Sequence, residues 1–429
     1  MAAQLAAGPA GTVTASFPDS AQREGAFRWL ASRDVSVDGV TEAMGVAAFA
    51  ESRGRVYCAV DGTSMTLTDR ARTRELGAVG TWRAGARGLV SLTSLLMDEA
   101  GTPLGVPGVR FWARTQRSRK RIKPHKSLQT ETLHTIELLG DIETRRAAHA
   151  PNVRVHYLLD RGFDAWAVFR LARDSSLEFT VRSRNDRSLL AIKGKRQRSL
   201  RATVARARSL GQTLLEVPAR WDRAARLCAL DVRAVRVPIM LRVGKKRREG
   251  TTLTALLARE IGYRGPNPMH WLLLTSERVE SLDDAQRSLD GYAMRWRIEE
   301  LHRTWKAGWC NVERTQLRRR DAICKWATLH LAVAARAIHL ARRARSEPNV
   351  PSSEEFSRDE IDAVLLWQSR RTRHRPGDTP PLGELVMLIA MLGGYTGRSS
   401  GGPPGPTVIG RGLGKIAIAA ETLQLNRKK

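Results

Sequence analysis

The chain has 429 residues, and its 42% hydrophobic and 27% charged residues are ordinary for a globular protein with a sizeable core. The charge balance is unusual, because 72 Lys and Arg against 43 Asp and Glu give a net charge of +29. This excess predicts a polyanionic partner, unless high-GC codon bias alone explains the number of arginines. The sequence lacks an apolar run of about 18 residues, so we exclude a membrane span. It lacks a signal-peptide pattern, so we exclude secretion and expect a cytoplasmic location. It also lacks a C-x-x-C pair, so we exclude a zinc ribbon.

The first 54 residues read as short helices separated by Gly and Pro, including a helix from Phe17 to Asp34 capped by Ser20. An apolar, β-branched run follows from Val56 to Val60 and stops at Asp61. This pattern predicts a buried strand with an acid at its carboxyl end.

Residues 55–185 then predict the first part of a mixed α/β sheet. Its remaining elements are two strands within Gly88–Arg114 joined by the turn DEAG, a basic loop from Arg114 to Lys126, a helix capped by Ser127, a strand from Val153 to Leu159 ending at Asp160, a helix from Ala165 to Arg173 and a strand from Glu178 to Arg182. Two strands of this sheet therefore each lead to an aspartate.

Residues 186–262 change to basic, β-rich sequence with a basic turn at Lys245–Arg248, which predicts an inserted β-rich subdomain. Residues 263–346 return to α/β sequence, with one long helix from a Ser281 cap to about Gly308 and another from Asp321 to Arg345. Residues 347–429 predict a helical carboxyl-terminal region that includes a buried helix ended by Gly393.

The stretch YAMRWRIEELHRTWK, residues 292–306, concentrates charge on one predicted helix face. Helical spacing of three or four residues puts the following side chains on that face: Tyr292, Arg295, Glu299, His302 or Arg303, and Lys306. A plain intrahelical ladder, with Glu299 between Arg295 and Arg303, is the structural alternative to a functional site.

Three acids make the functional interpretation stronger. Asp61 and Asp160 follow neighbouring strands, where α/β folds bind ligands, and Glu299 on the helix could complete a trio. Three converging carboxylates repel one another unless a hard cation such as Mg²⁺ or Mn²⁺ lies between them. Two such ions about 4 Å apart can activate a water or a 3′-hydroxyl for phosphodiester displacement.

The pattern Tyr292-x-x-Arg295-x-x-x-Glu299-x-x-x-x-x-x-Lys306 resembles the Tyr-Arg-Glu-Lys signature of the insertion-sequence-four family of bacterial DDE transposases. Other segments resemble that family in the same order along nearly the whole chain: AAQLA, AQREGAFRWL, VDGTSMTL, LLDRGFDAW, FTVRSR, WLLLTSERVESLDDAQRSLDGYAMRWRIEELHRTWK and IAMLGGYTGR. The resemblance implies a ribonuclease-H-like mixed sheet core with the β-rich insertion and helical terminal regions.

The resemblance also implies roles for individual residues. Asp61, Asp160 and Glu299 would be the catalytic metal ligands, and Tyr292, Arg295 and Lys306 would clamp phosphates near a transposon end. Five further residues are predicted to contact DNA. Trp271 would receive a flipped base, with Trp296 beside it. Arg182 would lie near the metal, and His302 and Arg303 would contact DNA from the helix. Without the resemblance, Trp271 reads as a core tryptophan and Arg182 as a surface charge at a strand end.

The implied activity is cut-and-paste transposition by a homodimer on DNA, acting on terminal inverted repeats and target DNA at the bacterial nucleoid. Compared with the family pattern, the chain starts within the amino-terminal DNA-binding region and is short after its last helix. The main alternative to an active transposase is therefore a shortened, non-catalytic inhibitor or regulator of transposition. Two less favoured alternatives are a nuclease without strand transfer and, last, a basic RNA-binding protein. The basic runs Arg114–Lys126 and Lys245–Arg248 would contact DNA or form a solvated face.

Overall fold

The predicted α/β class is confirmed. The computed structural model describes residues 2–69, 73–80, 85–114, 125–190, 198–217, 224–243, 247–397 and 402–427. The strands in these ranges are β1 (Arg55–Thr66), β2 (Gly77–Ala78), β3 (Arg87–Met97), β4 (Pro103–Gly105), β5 (Val109–Trp112), β6 (Arg154–Leu159), β7 (Glu178–Arg182), β8 (Ser209–Val217), β9 (Arg226–Val243), β10 (Arg247–Glu260) and β11 (His270–Thr275).

Helices precede, interrupt and follow these strands. They are α1 (Ala2–Ala7), α2 (Val13–Ser16), α3 (Ser20–Ala31), α4 (Val37–Ala50), α5 (His125–His149), α6 (Trp166–Asp174), α7 (Leu200–Ala205), α8 (Leu282–Ala293), α9 (Arg297–Lys306), α10 (Arg320–Ser346), α11 (Arg358–Trp367), α12 (Leu382–Leu392) and α13 (Pro406–Arg427). Within the described ranges, no helix has both the length and the apolar composition needed to cross a bilayer.

The strands form one 11-stranded mixed sheet in the order β2-β3-β1-β6-β7-β11-β10-β9-β8, with β4 and β5 paired to β3. Strands β1, β6 and β7 are parallel to one another, whereas β3 and β11 run antiparallel to β1 and β7. The segment predicted as a β-rich insertion supplies β8, β9 and β10, which continue the same sheet beyond β11.

Both faces of the central strands are buried, as β1 shows. Its side chains alternate with the period of two expected of a strand: Tyr57 and Ala59 pack into one apolar layer, and Cys58 and Val60 pack into the other. The first layer includes Trp305 of α9, whose indole N–H donates to the carbonyl of Ala327 in α10 at 2.9 Å. Helix α9 is thus fixed between the sheet and α10.

The structure corrects the predicted end of β1. The strand does not stop at Asp61 but continues to Thr66, because residues 61–66 remain paired with residues 88–93 of β3. The partner strand is antiparallel and distant in sequence, so its length is invisible in the local pattern. Asp61 consequently lies within a long strand and not at its end.

The long helix predicted from Ser281 is also corrected. Ser281 does cap α8, in a reciprocal capping box with Asp284. The helix then tightens into a 3₁₀ turn at Met294–Trp296 before α9 begins. A 3₁₀ turn rotates the chain by about 120° per residue, whereas an α-helix rotates it by about 100°. The three residues of this turn therefore rotate α9 by about 60° about its axis, relative to the position that one continuous α-helix would give it.

Smaller corrections concern element boundaries. Asp19, not Ser20, caps α3, since its carboxylate accepts the Gln22 N–H at 2.8 Å. Helix α5 begins at His125, ahead of the predicted Ser127 cap, and the segment predicted as two strands around DEAG forms β3, β4 and β5. The helix predicted to end at Gly393 is confirmed as α12.

We expect Gly88→Ala to destabilise the fold by about 3 kcal/mol, because a Cβ at this position would lie 1.8 Å from the carbonyl oxygen of Met65 and force β1 and β3 apart. Gly62→Ala is the matched control on the same strand pair, where the nearest atom would be 4.0 Å away, and it should change stability by less than about 1 kcal/mol. Urea unfolding followed by tryptophan fluorescence measures both, and equal effects would contradict this account.

Candidate active site

Two aspartates lie side by side on the central parallel strands. In the register of β1 and β6, Val60 is opposite Leu159, and Asp61 and Asp160 each follow directly. Each carboxylate is oriented locally: Asp61 accepts the Gly62 N–H at 2.8 Å, and Asp160 accepts the Gly162 N–H at 2.6 Å. Parallel strands present successive residues at one level, so the sheet itself brings these two acids together.

Arg295 connects the strand acids to the helix acid. Its guanidinium Nη1 lies 3.6 Å from Asp61 Oδ2, and its Nη2 donates to Glu299 Oε1 at 3.2 Å. The predicted intrahelical pair between Arg295 and Glu299 therefore exists, but it is not a plain surface ladder, because the same guanidinium also reaches across to β1. One cation is shared by Asp61 and Glu299.

The electrostatics of the site are dominated by burial. Burial, followed by smaller contributions from the charges of Asp160 and Glu299, raises the pKa of Asp61 to about 6 against the opposing effect of Arg295. Burial alone would lower the pKa of Arg295, but the surrounding Tyr292, Asp61 and Glu299 reverse this and raise it. The acids therefore favour the charged form of Arg295, whereas burial disfavours the charged form of Asp61.

A hard divalent cation fits this donor set. Asp61, Asp160 and Glu299 offer carboxylate oxygens, which Mg²⁺ and Mn²⁺ prefer, and their repulsion is what such an ion relieves. As the side chains stand, no group of three or more His, Cys, Asp or Glu among the described residues is arranged to hold a metal. The guanidinium of Arg295 lies between Asp61 and Glu299.

Tyr292 and Lys306, at the ends of the predicted clamp, have partners within the protein. Tyr292 is buried, and its hydroxyl donates to the carbonyl of Leu159, the residue before Asp160, at 3.1 Å. Lys306 Nζ lies 3.4 Å from Thr63 Oγ1 and 3.6 Å from a carboxylate oxygen of Glu313. Both residues therefore secure the strands that carry Asp61 and Asp160.

Trp271 is buried, with 2% of its surface exposed. Its ring packs edge-on against Tyr292, with centroids 5.0 Å apart, and lies tilted to Trp296 at 5.6 Å. Trp296 is half-buried and forms the outer wall of this aromatic cluster. Trp271 is covered in this conformation, so a base could stack on it only if Trp296 moved.

Arg182 and Arg303 occupy different surroundings. Arg182 ends β7, donates to the carbonyl of His270 at 3.0 Å, and has its pKa lowered by burial and then by nearby Arg161. It also feels the charges of Asp160 and Arg295, which places it at the border of the acid site. Arg303 lies on the exposed side of α9.

His302 does not lie on the surface where sequence reasoning placed it. Its Nε2 is 2.6 Å from Thr93 Oγ1 in β3, and burial, followed by the charges of Lys306 and Arg295, lowers its pKa to about 3. The ring is buried, and its Nε2 is engaged by Thr93 in this conformation. Within α9, His302 lies three residues after Glu299 and packs towards the sheet, whereas Arg303, four residues after Glu299, is exposed.

Sequence reasoning missed Glu313. This residue accepts the N–H of Thr66 at the end of β1 at 2.8 Å and pairs with Lys306. It lies in a 3₁₀ turn, Val312–Arg314, after α9, and no local pattern distinguishes it from a solvated acid.

The two predicted basic runs are described only in small part. The side chain of Arg114 pairs with Glu131 at 2.6 Å. The side chains from 115 to 126 and from 245 to 248 lie outside the described part.

The comparison with protein families decides the broad assignment. Residues 101–335, more than half of the chain, match the family model described as "Transposase DDE domain". The chain belongs to the transposase DDE domain family. The matched range of this transposase domain contains Asp160, Arg295 and Glu299, while β1 with Asp61 precedes it and joins it through the sheet.

The raised pKa of Asp61 leads to a stability prediction. An acid whose pKa is raised from 3.8 to about 6 weakens the fold above pH 6, and the penalty disappears as the pH falls towards 3.8, where both states are protonated. Asp61→Asn should therefore stabilise the metal-free protein by about 2 kcal/mol at pH 7.5 and have little effect near pH 4. Denaturant unfolding in EDTA at both pH values measures this difference.

Asp164→Asn is the matched control for that measurement. Asp164 is also buried, but it accepts a hydrogen bond from Arg187 Nε at 2.7 Å and another from the Arg184 N–H at 2.7 Å. Removing its charge leaves Arg187 unpaired and should destabilise the protein by about 3 kcal/mol. If Asp61→Asn were destabilising to a similar extent at pH 7.5, Asp61 would be a structural acid.

Proposed function

We propose that this chain is a cut-and-paste DNA transposase of the insertion-sequence-four family, close to the Tn-five transposase. The observation that carries the proposal is the guanidinium of Arg295 between Asp61 and Glu299, with the charge of Asp160 acting on the same site, in a chain of the transposase DDE domain family. A net charge of +29 supports a DNA partner, since phosphates provide the missing negative charge.

In the proposed mechanism, Asp61, Asp160 and Glu299 would hold two Mg²⁺ or Mn²⁺ ions. When bound, these ions would activate a water or a 3′-hydroxyl and stabilise the leaving oxygen of a phosphodiester. The residues of the chain position these acids: Tyr292 holds the end of β6 through the Leu159 carbonyl, and His302 holds β3 through Thr93. Neither has to contact DNA to do so.

The same mechanism gives Arg295 two partners in succession. In the structure it neutralises Asp61 and Glu299. Its forked guanidinium also matches the geometry of a DNA phosphate, which would be its second partner. Lys306 and Arg182 flank the acids and would contact the backbone on either side, with Arg303 further out on α9.

Substrates and assembly follow the family expectation. The proposed substrates are the inverted repeats at transposon ends and a target DNA, and the proposed active form is a homodimer on DNA. The aromatic cluster of Trp271, Trp296 and Tyr292 would receive a flipped base, with Trp296 as the first ring that the base meets.

We expect Glu299→Gln to reduce DNA cleavage by more than about 100-fold, because a neutral amide is a poor ligand for a hard cation and leaves Arg295 with one acid fewer. Cleavage of DNA carrying the inverted repeats that flank the gene, with Mg²⁺ or Mn²⁺, measures this. Glu300→Gln is the adjacent control and should retain activity within a factor of about three. Equal activity of Glu299→Gln and wild type would refute the site, and DNA binding without cleavage by the wild type would identify a regulator.

The aromatic cluster gives a second functional prediction. With 2-aminopurine at the terminal base of the DNA end, Trp296→Ala should weaken the fluorescence change that reports an unstacked base, and the loss of one stacking partner should weaken DNA-end binding by roughly 10-fold. Trp367→Ala is the control, since Trp367 is exposed on α11 outside the site. An unchanged signal in Trp296→Ala would exclude this ring as the stacking surface.

A further inference from the structure

A second basic site lies outside the acid cluster. The turn after β3, the start of α9 and the end of α10 enclose a cleft of 220 Å³. Its lining residues are Ala100, Gly101, Thr102, Arg297, Arg342 and Arg345, with Ser346 at the rim. The cleft is several times larger than the about 30 Å³ that one water occupies in the liquid, so it can admit a tetrahedral oxyanion.

Three arginines converge in this cleft without a paired acid. In the described part of the chain, no carboxylate lies within 4.0 Å of the guanidinium of Arg297, Arg342 or Arg345. Arg297 donates to the carbonyl of Gly101 at 2.8 Å and Arg345 to the carbonyl of Pro404 at 2.7 Å, but the buried Nε atoms of Arg297 and Arg342 lack a hydrogen-bond partner among the described residues. Donors are thus left over in a confined space.

The arginines also repel one another. Burial, and then the charge of Arg342, lowers the pKa of Arg345. The charge of Glu300 acts on Arg345 in the opposite direction but does not compensate. An anion in the cleft would remove this cost.

Local backbone geometry keeps Arg297 in the cleft. Gly101 has a φ of +76°, which favours glycine, and a Cβ there would lie 2.7 Å from Cζ of Arg297. The guanidinium therefore rests directly on the turn. It is held by a specific backbone contact and is not a freely solvated surface charge.

A larger basic cleft of 520 Å³ provides a contrast. Three of its arginines have close acidic partners: Arg55 pairs with Glu277, Arg173 with Glu249 at 2.7 Å, and Arg287 with Asp284. Acids of the chain therefore offset much of the positive charge in this cleft. The cleft formed by Arg297, Arg342 and Arg345 has the same cations without the acids.

We propose that the cleft formed by Arg297, Arg342 and Arg345 binds a phosphate group, supplied either by a DNA backbone or by free phosphate. Arginine forks match phosphate oxygens in geometry and charge, and three of them from two helices surround one tetrahedral group. Arg297 lies two residues before Glu299, so a phosphate held here contacts the first turn of the helix that carries the helical acid.

The first experiment compares thermal unfolding in phosphate and in chloride at equal ionic strength, without DNA or metal. Phosphate should raise the melting temperature of the wild type by about 2 °C or more. Arg342→Gln should abolish this rise and, in chloride, should melt no lower than wild type, because it removes a repulsive charge. Arg287→Gln, with the same charge loss in the paired cleft, should keep the phosphate response.

The second experiment identifies the source of the phosphate and rests on the proposed function. The affinity for duplex DNA is measured over a range of salt concentrations for wild type, Arg342→Gln and Arg287→Gln. If the DNA backbone occupies the cleft, Arg342→Gln should reduce the slope of log affinity against log salt by about 0.9 relative to Arg287→Gln. A lost phosphate response with equal slopes would identify free phosphate as the ligand.

The two experiments together can overturn the proposal. A phosphate response that is equal in wild type and Arg342→Gln, together with equal salt slopes, would show that the cleft takes no phosphate. So would the absence of any phosphate response in the wild type if the slopes were also equal. Because the thermal measurement uses neither DNA nor metal, a failure of the transposase assignment would leave its result standing.

Discussion

The repulsion among Asp61, Asp160 and Glu299 is the constraint on which the rest of the active site depends. Two of these acids are placed by strand register and the third by a helix, and burial makes their proximity costly. The guanidinium of Arg295 offsets part of that cost in the metal-free protein. Within the chain itself, the cation that lies between Asp61 and Glu299 is the guanidinium of Arg295.

Holding acids together against repulsion requires rigid supports, and the structure provides them from both faces of the sheet. Apolar layers bury β1 on either side, and Trp305 anchors α9 to α10. Polar contacts then fix individual strands: Tyr292 holds the end of β6, and Lys306, paired with Glu313, holds the end of β1. Residues that sequence reasoning assigned to DNA thus also act as structural supports for the acids.

The sequence predicted what depends on local pattern and on long, specific motifs. It placed both aspartates after apolar strand residues and Glu299 on a helix, and it located α6, β7 and α10 within one or two residues. It could not show that β1 continues past Asp61, because the pairing with β3 is a long-range contact. The 3₁₀ turn before α9 was equally hidden, because residues 292–306 read as one continuous helical pattern, and the contact of His302 with Thr93 is again a long-range contact with β3.

Net charge alone does not distinguish codon bias from function, but the partners of individual arginines do. An arginine retained by composition alone is expected to be solvated or paired, as Arg173 and Arg287 are. Arg297 and Arg342 have no ion-pair partner among the described residues, although Arg297 donates to the carbonyl of Gly101 at 2.8 Å. They are therefore the arginines for which an anion is proposed above, and Arg297 lies on the helix that also carries Glu299. Under the two proposals, helix α9 would present Glu299 to a cation and Arg297 to a phosphate, which is the combination that a metal-dependent enzyme acting on a phosphodiester requires.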